Sequence, residues 1–175
     1  GAEYSRTSYY ISKFMKDYKT RGDYDGEALH LWVMYRYGEV LLNYAEALNE
    51  WKATPDQEVY EYIDKVRART GLEGVVKSWQ KHSLTPDKPK NKEGMREIIR
   101  RERMNELAFE GVRFWDLKRW KLAETYLNKP IRGLNIMGET AQDFYQVKTV
   151  YQLKYAKKDY LWPIKQSVLL RNKNL

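Results

Sequence analysis

The chain contains no cysteine and only two histidines among its 175 residues. Without cysteine there are no disulfides, thiolate nucleophiles or thiolate metal sites, and the redox compartment is left open. His30 and His82 fall in separate loop-like regions with no neighbour at metal-ligand spacing, which argues against a zinc site or a histidine-based catalytic pair. No apolar run approaches the roughly 18 to 20 residues that span a bilayer, and the N-terminus lacks the basic, apolar and small-residue pattern of a signal segment. A glycine-rich phosphate loop is also missing. Ser8, Ser12, Ser78, Ser83 and Ser167 stand outside any nucleophile-elbow context. No active site is expected from these patterns, and no cofactor or metal.

What the chain does hold is length enough for one domain with a real core, a net charge of +8, and 15 Tyr, 6 Trp and 4 Phe. The charge is uneven: residues 148–175 carry seven Lys and Arg against one acid. With no nucleic-acid motif beside it, this basic tail is read as a surface for solvent or a partner, and nucleic acid is not expected.

Helical periodicity dominates the first two thirds. Tyr37, Val40, Leu41, Tyr44, Leu48 and Trp51 form an apolar stripe, Gly38, Leu42, Ala45 and Asn49 a second face of mostly small residues, and Glu39, Glu46 and Glu50 a wet third face. Thr54, Pro55 and Gln57 read as the N-cap, first position and capping box of the next helix, which buries Val59, Tyr62, Ile63 and Val66 and ends at Gly71. So short a connection makes an antiparallel hairpin. Residues 73–94, rich in Lys, Pro and Gly, read as a loop carrying Trp79 and His82. A helix from about Met95 to Glu110 follows, then a turn at Gly111 and a further helical segment from Val112 to Leu127 with apolar residues around its circumference. Beyond Pro130 the pattern changes, and Phe144 to Tyr155 and Tyr9 to Phe14 read as short strands or extended segments. The fold class is therefore mainly α, with an irregular C-terminal part containing short strands.

Within Met95–Glu110, Glu102 and Glu106 fall on the same helical face as Ile98, Ile99 and Phe109 at about 100° per residue. Carboxylates on an apolar face are paired, protonated or chemically active. One turn apart, their Cβ atoms lie about 5 to 6 Å from each other, which matches the carboxyl separation of a retaining glycosidase, about 5 to 5.5 Å. Direction opposes that use: glycosidase carboxyls flank opposite sides of a bond, whereas these project the same way. They read as structural ion pairs with arginines drawn from Arg36, Arg67, Arg113 and Arg119. The aromatics at helical spacing read as core, which leaves Tyr24, Trp32 and Trp79 in loops as the candidates to stack on a sugar ring.

Four segments carry a family resemblance: Arg36–Glu50 (RYGEVLLNYAEALNE), Val66–Leu72 (VRARTGL), Arg96–Trp120 (REIIRRERMNELAFEGVRFWDLKRW) and Tyr160–Leu175 (YLWPIKQSVLLRNKNL). In this order and spacing the chain resembles the C-terminal portion of the SusD/RagB group of nutrient-binding outer-membrane lipoproteins from Bacteroidetes. The resemblance implies a SusD-like helical fold in which Tyr37–Thr70 is one tetratricopeptide-type hairpin, and residues 1–175 form a single C-terminal region of a longer protein. It implies noncatalytic binding of a glycan or other nutrient at the cell surface, with delivery to a SusC-like TonB-dependent transporter. The alternative is a scaffold segment that contacts the transporter without touching the ligand. Also implied are an N-terminal remainder of the same protein, and a lipid anchor on an upstream cysteine absent from this chain. The matched motifs look like scaffold, so the resemblance assigns no ligand residue, and the chain stops short of the Asn-Pro-Gly-Tyr-like ending of relatives.

Overall fold

The computed structural model describes residues 5, 7–9, 11, 13 and 33–172. The chain divides into two compact units, Lys16–Arg113 and a second made of Gly1–Met15 with Phe114–Leu175.

The first unit is built on helices α1 (Tyr37–Trp51), α2 (Gln57–Arg69), α3 (Val75–His82) and α4 (Lys92–Glu106), with a 3-10 turn at Lys88–Lys90. Helix α1 lies against both α2 and α4, and α3 lies against α2 and the 3-10 turn. Leu42, Ala45, Val59, Ile63, Val75, Met95 and Ile99 are fully buried at their meeting point. Burial of such side chains at roughly 1.5 to 3 kcal/mol each is what holds this unit together.

Helix α1 packs on two sides: Leu42, Ala45 and Asn49 of the small-residue face are fully buried and let α2 and α4 approach closely, and Leu41 and Leu48 of the apolar stripe are buried as well. The aromatic ends of that stripe point outward, with Tyr37 70% and Trp51 80% exposed. Tyr44 is half covered by the edge of Tyr62, with ring centroids 4.5 Å apart. Glu46 does not belong to a wet face, since its carboxylate lies 3.7 Å from the buried guanidinium of Arg103.

The N-cap of α2 is Asp56, whose side chain accepts from the Val59 amide; Thr54 is two residues too early because buried Pro55 precedes the cap. At the other end Gly71 adopts φ +75° while its N–H reaches the Ala68 carbonyl and that of Leu72 reaches Arg67. These paired bonds close the helix as a Schellman motif.

Residues 73–94 are not all loop. Val75, Val76 and Trp79 recur at helical spacing and α3 forms around them. Its N-terminus is closed by Asp64 from α2, which accepts the Val75 amide at 2.6 Å. Helix α4 starts at Lys92, earlier than Met95, because Asn91 caps the Gly94 amide at 2.6 Å. It stops at Glu106, and Phe109, expected inside, sits at φ +63° with its ring exposed.

The second unit holds α5 (Val112–Arg119, entering from the first), α6 (Ala123–Leu127), β1 (Pro130–Leu134), α7 (Ala141–Phe144), β2 (Val147–Gln152), a 3-10 turn at Lys157–Tyr160 and α8 (Gln166–Arg171). The single helix expected over Val112–Leu127 is broken where Lys121 adopts φ +58°. Strands β1 and β2 pair antiparallel, with Leu134 opposite Val147 and a bulge between Ile131 and Arg132. Gly133 has no room for a side chain, since a Cβ there would lie 2.6 Å from the Thr7 Cα. Of the expected Tyr9–Phe14 strand, Tyr10, Ser12 and Phe14 lie outside the described residues. Among the described residues no helix is long and apolar enough to cross a membrane.

Candidate functional site

The two glutamates singled out by periodicity are sewn into guanidinium groups. Glu102 takes a hydrogen bond from Arg67 Nη1, while Arg67 Nε donates to the Glu73 carbonyl at 2.9 Å. Glu106 is gripped from two sides, by Arg36 Nη1 and by Arg69 Nη2, the latter at 2.8 and 2.7 Å from its two oxygens. Arg36 then reaches on to both oxygens of Glu110, at 2.8 and 2.7 Å. Glu110 raises the affinity of the Arg36 guanidinium for its proton, against the opposing effect of burial. Both carboxylates lie at the shielded edge of the packing rather than in its centre, with side chains 15% and 8% exposed. The buried positions of α4 are Met95, Ile98, Ile99 and Arg103.

Hydrogen bonds between guanidinium and carboxylate groups are charge-assisted and stronger than neutral ones. Glu102 and Glu106 therefore tie α4 to α2 and to the start of α1. Arg119 Nε donates to the buried Asp116 at 2.9 Å, one turn back on α5. Arg113, on the same helix, is half-buried. Among the described residues no group of three or more His, Asp or Glu is placed to hold a metal ion.

Of the aromatics proposed to meet a ligand, Tyr24 and Trp32 lie outside the described residues. Trp79 is not on a loop. It sits in α3, half-buried against the core of the first unit, with Lys88 Nζ 5.4 Å above its ring. That lysine also borders an open depression of about 340 Å³ lined by Thr85, Pro86, Asp87 and Asn91.

The second unit carries a pair of exposed indole rings that periodicity did not reveal. Trp115 of α5 and Trp162, after the 3-10 turn, have ring centroids 6.2 Å apart, and their side chains remain 55% and 69% exposed. Phe114 meets Trp115 edge-on at 5.5 Å. Lys118 Nζ lies 5.1 Å from the Phe114 centroid and 5.0 Å from that of Trp162. A cation within about 6 Å of a ring face is attracted to it, so Lys118 holds the two rings about one ammonium. The same pairing recurs at Lys121 over Tyr160, 4.8 Å, and Lys129 over Tyr126, 5.0 Å. The sequence signal was the spacing of Phe114 and Lys118, one helical turn apart. Exposed indole faces flanked by ammonium groups suit a ring with apolar C–H faces and polar or charged edges.

The first unit is a helical frame held by arginine–glutamate ties, and the second carries exposed aromatic rings. The sequence profile of the SusD family matches residues 1–175, and the chain belongs to this family. It is 33% identical over 166 residues to SusD-like protein P2 of Formosa agariphila, covering 95% of this chain and 29% of that protein. A SusD-like protein of Bacteroides fragilis superposes with a TM-score of 0.63 at 27% identity, over 81% of this chain and 24% of that one. A SusD-like carbohydrate-binding protein of the same species does so at 0.61 and 32% identity, over 80% and 28%. The chain thus spans less than a third of the length of these relatives.

Proposed function

We propose that this chain is the C-terminal region of a noncatalytic glycan-binding protein of the bacterial outer membrane, which holds an oligosaccharide at the cell surface and passes it to a SusC-like TonB-dependent transporter. The observation that carries the reading is SusD-family membership across residues 1–175, together with a relative of 32% identity that is a carbohydrate-binding protein. The exposed pair Trp115 and Trp162 supplies the kind of face that a sugar ring stacks on. The network around Glu102 and Glu106 supports a noncatalytic role, because both carboxylates are committed to arginines. Lipid attachment through an upstream cysteine, and an N-terminal remainder that completes the site, belong to the same proposal.

Affinity electrophoresis on a panel of polysaccharides, with reducing-sugar release assayed in parallel, tests it. The expected result is retardation by at least one polysaccharide without release of sugar. Turnover of any bound glycan overturns the noncatalytic role. A second reading, a scaffold that meets the transporter without touching ligand, is favoured by the outward Tyr37 and Trp51 of α1. Retained transporter association together with no retardation on any polysaccharide would select it.

A further inference from the structure

The charge of the chain is divided between the two units in a way that composition alone conceals. In Lys16–Arg113, 18 Lys and Arg balance 18 Asp and Glu. Many of these are matched in space, as in Arg36 with Glu106 and Glu110, Arg67 with Glu102, Arg96 with Glu50, and Lys52 with Asp56 and Glu58. Gly1–Met15 with Phe114–Leu175 carries 14 Lys and Arg against six Asp and Glu, hence the whole net charge of +8.

In the second unit Arg119 is paired with Asp116, whereas Lys118, Lys121 and Lys129 have aromatic rings as their neighbours. A ring face attracts an ammonium group but does not neutralise it. The three ammonium groups lie beside the faces of Phe114, Trp162, Tyr160 and Tyr126. A neutral sugar needs the ring and a few hydrogen bonds; it gains little from an ammonium group held in place, whose solvation it would disturb. A carboxylate or sulfate on the sugar gains a charge-assisted bond while the ring's C–H face meets the indole.

We propose that the ligand is an anionic polysaccharide, bearing uronate carboxylates or sulfate esters, and that Trp115, Trp162 and Lys118 form one of its subsites. This deepens the glycan-binding function proposed above and rests on it. The rings supply stacking that tolerates variation in the sugar, and Lys118 supplies the selection for charge. The remaining positive charge of the second unit raises the local concentration of a polyanion and speeds its capture.

The test holds the sugar backbone constant and varies its charge. The chain of residues 1–175 is run by affinity electrophoresis through polygalacturonate and its fully methyl-esterified counterpart, and through a sulfated galactan and its desulfated counterpart. Neutral starch and single-stranded DNA complete the panel. Retardation is expected in at least one charged polymer, roughly tenfold stronger than in its neutral partner. It should fade as salt rises from about 0.01 M to about 1 M and the Debye length shrinks from about 30 Å to about 3 Å. Lys118→Gln should bring the charged polymer down to the level of the neutral one, Lys118→Arg should restore the difference, and Trp162→Ala should lose both. Circular dichroism and the melting temperature check that each variant folds.

Equal retardation by charged and neutral forms overturns the anionic ligand and leaves glycan binding standing. Failure on every polysaccharide, starch included, overturns a subsite built from Trp115, Trp162 and Lys118 within this chain. Single-stranded DNA retarding the chain as strongly as the acidic polysaccharides, with loss of both in Lys118→Gln, overturns the proposal in favour of nucleic acid.

Discussion

Arg36 holds Glu110 by both oxygens, through Nε at 2.8 Å and Nη2 at 2.7 Å. Since Arg36 is the N-cap residue of α1 and Glu110 follows the end of α4, one side chain clamps the entry of the first helix to the exit of the last in that unit. Its Nη2 also donates to the Glu106 carbonyl at 2.6 Å, so the clamp also serves a carbonyl at the C-terminus of α4. Arg36→Met removes these bonds, leaving Glu106 to Arg69 and taking the two-point clamp from Glu110. Loss of one partner of such a pair costs about 3 to 5 kcal/mol, and because Arg36 is itself partly exposed the lower end is expected. Urea denaturation should show an early midpoint with an unchanged slope. A loss below about 1 kcal/mol would place the pair among ordinary surface ion pairs.

Glu102→Gln and Glu106→Gln separate structure from chemistry at the same place. Each keeps a hydrogen-bonding oxygen but forfeits the charge its arginine requires, so both should lower the melting temperature. If Glu106→Gln left stability intact yet abolished a hydrolytic activity, the structural assignment would be wrong. The heavier loss is expected at Glu106, which two arginines share, than at Glu102, which is held by Arg67.

The paired glutamates were legible in the sequence because two carboxylates one turn apart on an apolar face demand cations. Which cations was only partly legible: Arg69, one of the two on Glu106, lies 37 residues away, and no local pattern encodes that distance. Helix α3 was hidden by its neighbourhood, since Thr85, Pro86 and Pro89 mark a loop only after His82 and the helix before them is too short for a strong period. In α1 the apolar and the small faces were both visible and both are buried in part, but periodicity does not say that Tyr37 and Trp51 at the ends of the stripe stay outside. The Trp115 and Trp162 pair joins residues 47 apart across a strand pair, so each ring was visible and their meeting was not.

Two glycines should both lose stability on substitution by alanine, for different reasons. At Gly94 a Cβ would lie 2.2 Å from the Lys88 carbonyl oxygen, a backbone atom that cannot step aside without moving the 3-10 turn. Overpacking of this kind costs about 1 to 3 kcal/mol or more. At Gly71 nothing stands within 4 Å, and only the φ of +75° resists, which costs roughly 1 to 2 kcal/mol. Gly94→Ala should therefore also weaken protection of the α4 N-terminus in hydrogen exchange, whereas Gly71→Ala should lower the melting temperature without that local signature.

The pH response should carry two opposed contributions. Hydrogen bonding to Arg96 holds the Glu50 carboxyl below its usual range, so its contribution is present above the unfolded value and is lost as pH falls through the folded one. Burial pushes Asp64 upward, against the Val75 amide and Arg67. Its contribution is present below the unfolded value and is lost as pH rises through the folded one. Asp64→Asn, which can still accept from Val75, should raise the melting temperature at neutral pH and match the parent in acid. Glu50→Gln should lower it at neutral pH, and that difference too should vanish in acid. Parallel melting curves at about pH 3 and pH 7 decide both; a lower neutral melting temperature for Asp64→Asn would mean that the amide bond, not burial, governs that carboxyl.

Asn128 closes the second unit locally. Its Nδ2 donates to the carbonyls of Glu124 and Tyr155 at 2.9 and 2.8 Å, its Oδ1 accepts the Tyr155 amide at 2.8 Å, and its own carbonyl accepts from Gln152 at 2.9 Å. One amide side chain thereby ties the end of α6 to the chain leaving β2. Asn128→Ala removes the three side-chain bonds and keeps the carbonyl. At about 0.5 to 1.5 kcal/mol per bond in favourable cases, and less where water competes, the cost should be about 1 to 2 kcal/mol. Because Tyr155 is followed within a few residues by Tyr160 and Trp162, the same change should loosen the aromatic platform: faster exchange at the Tyr155 amide is expected together with weaker glycan retardation. Faster exchange with undiminished retardation would mean that the platform is held by Lys118 and the ring contacts alone.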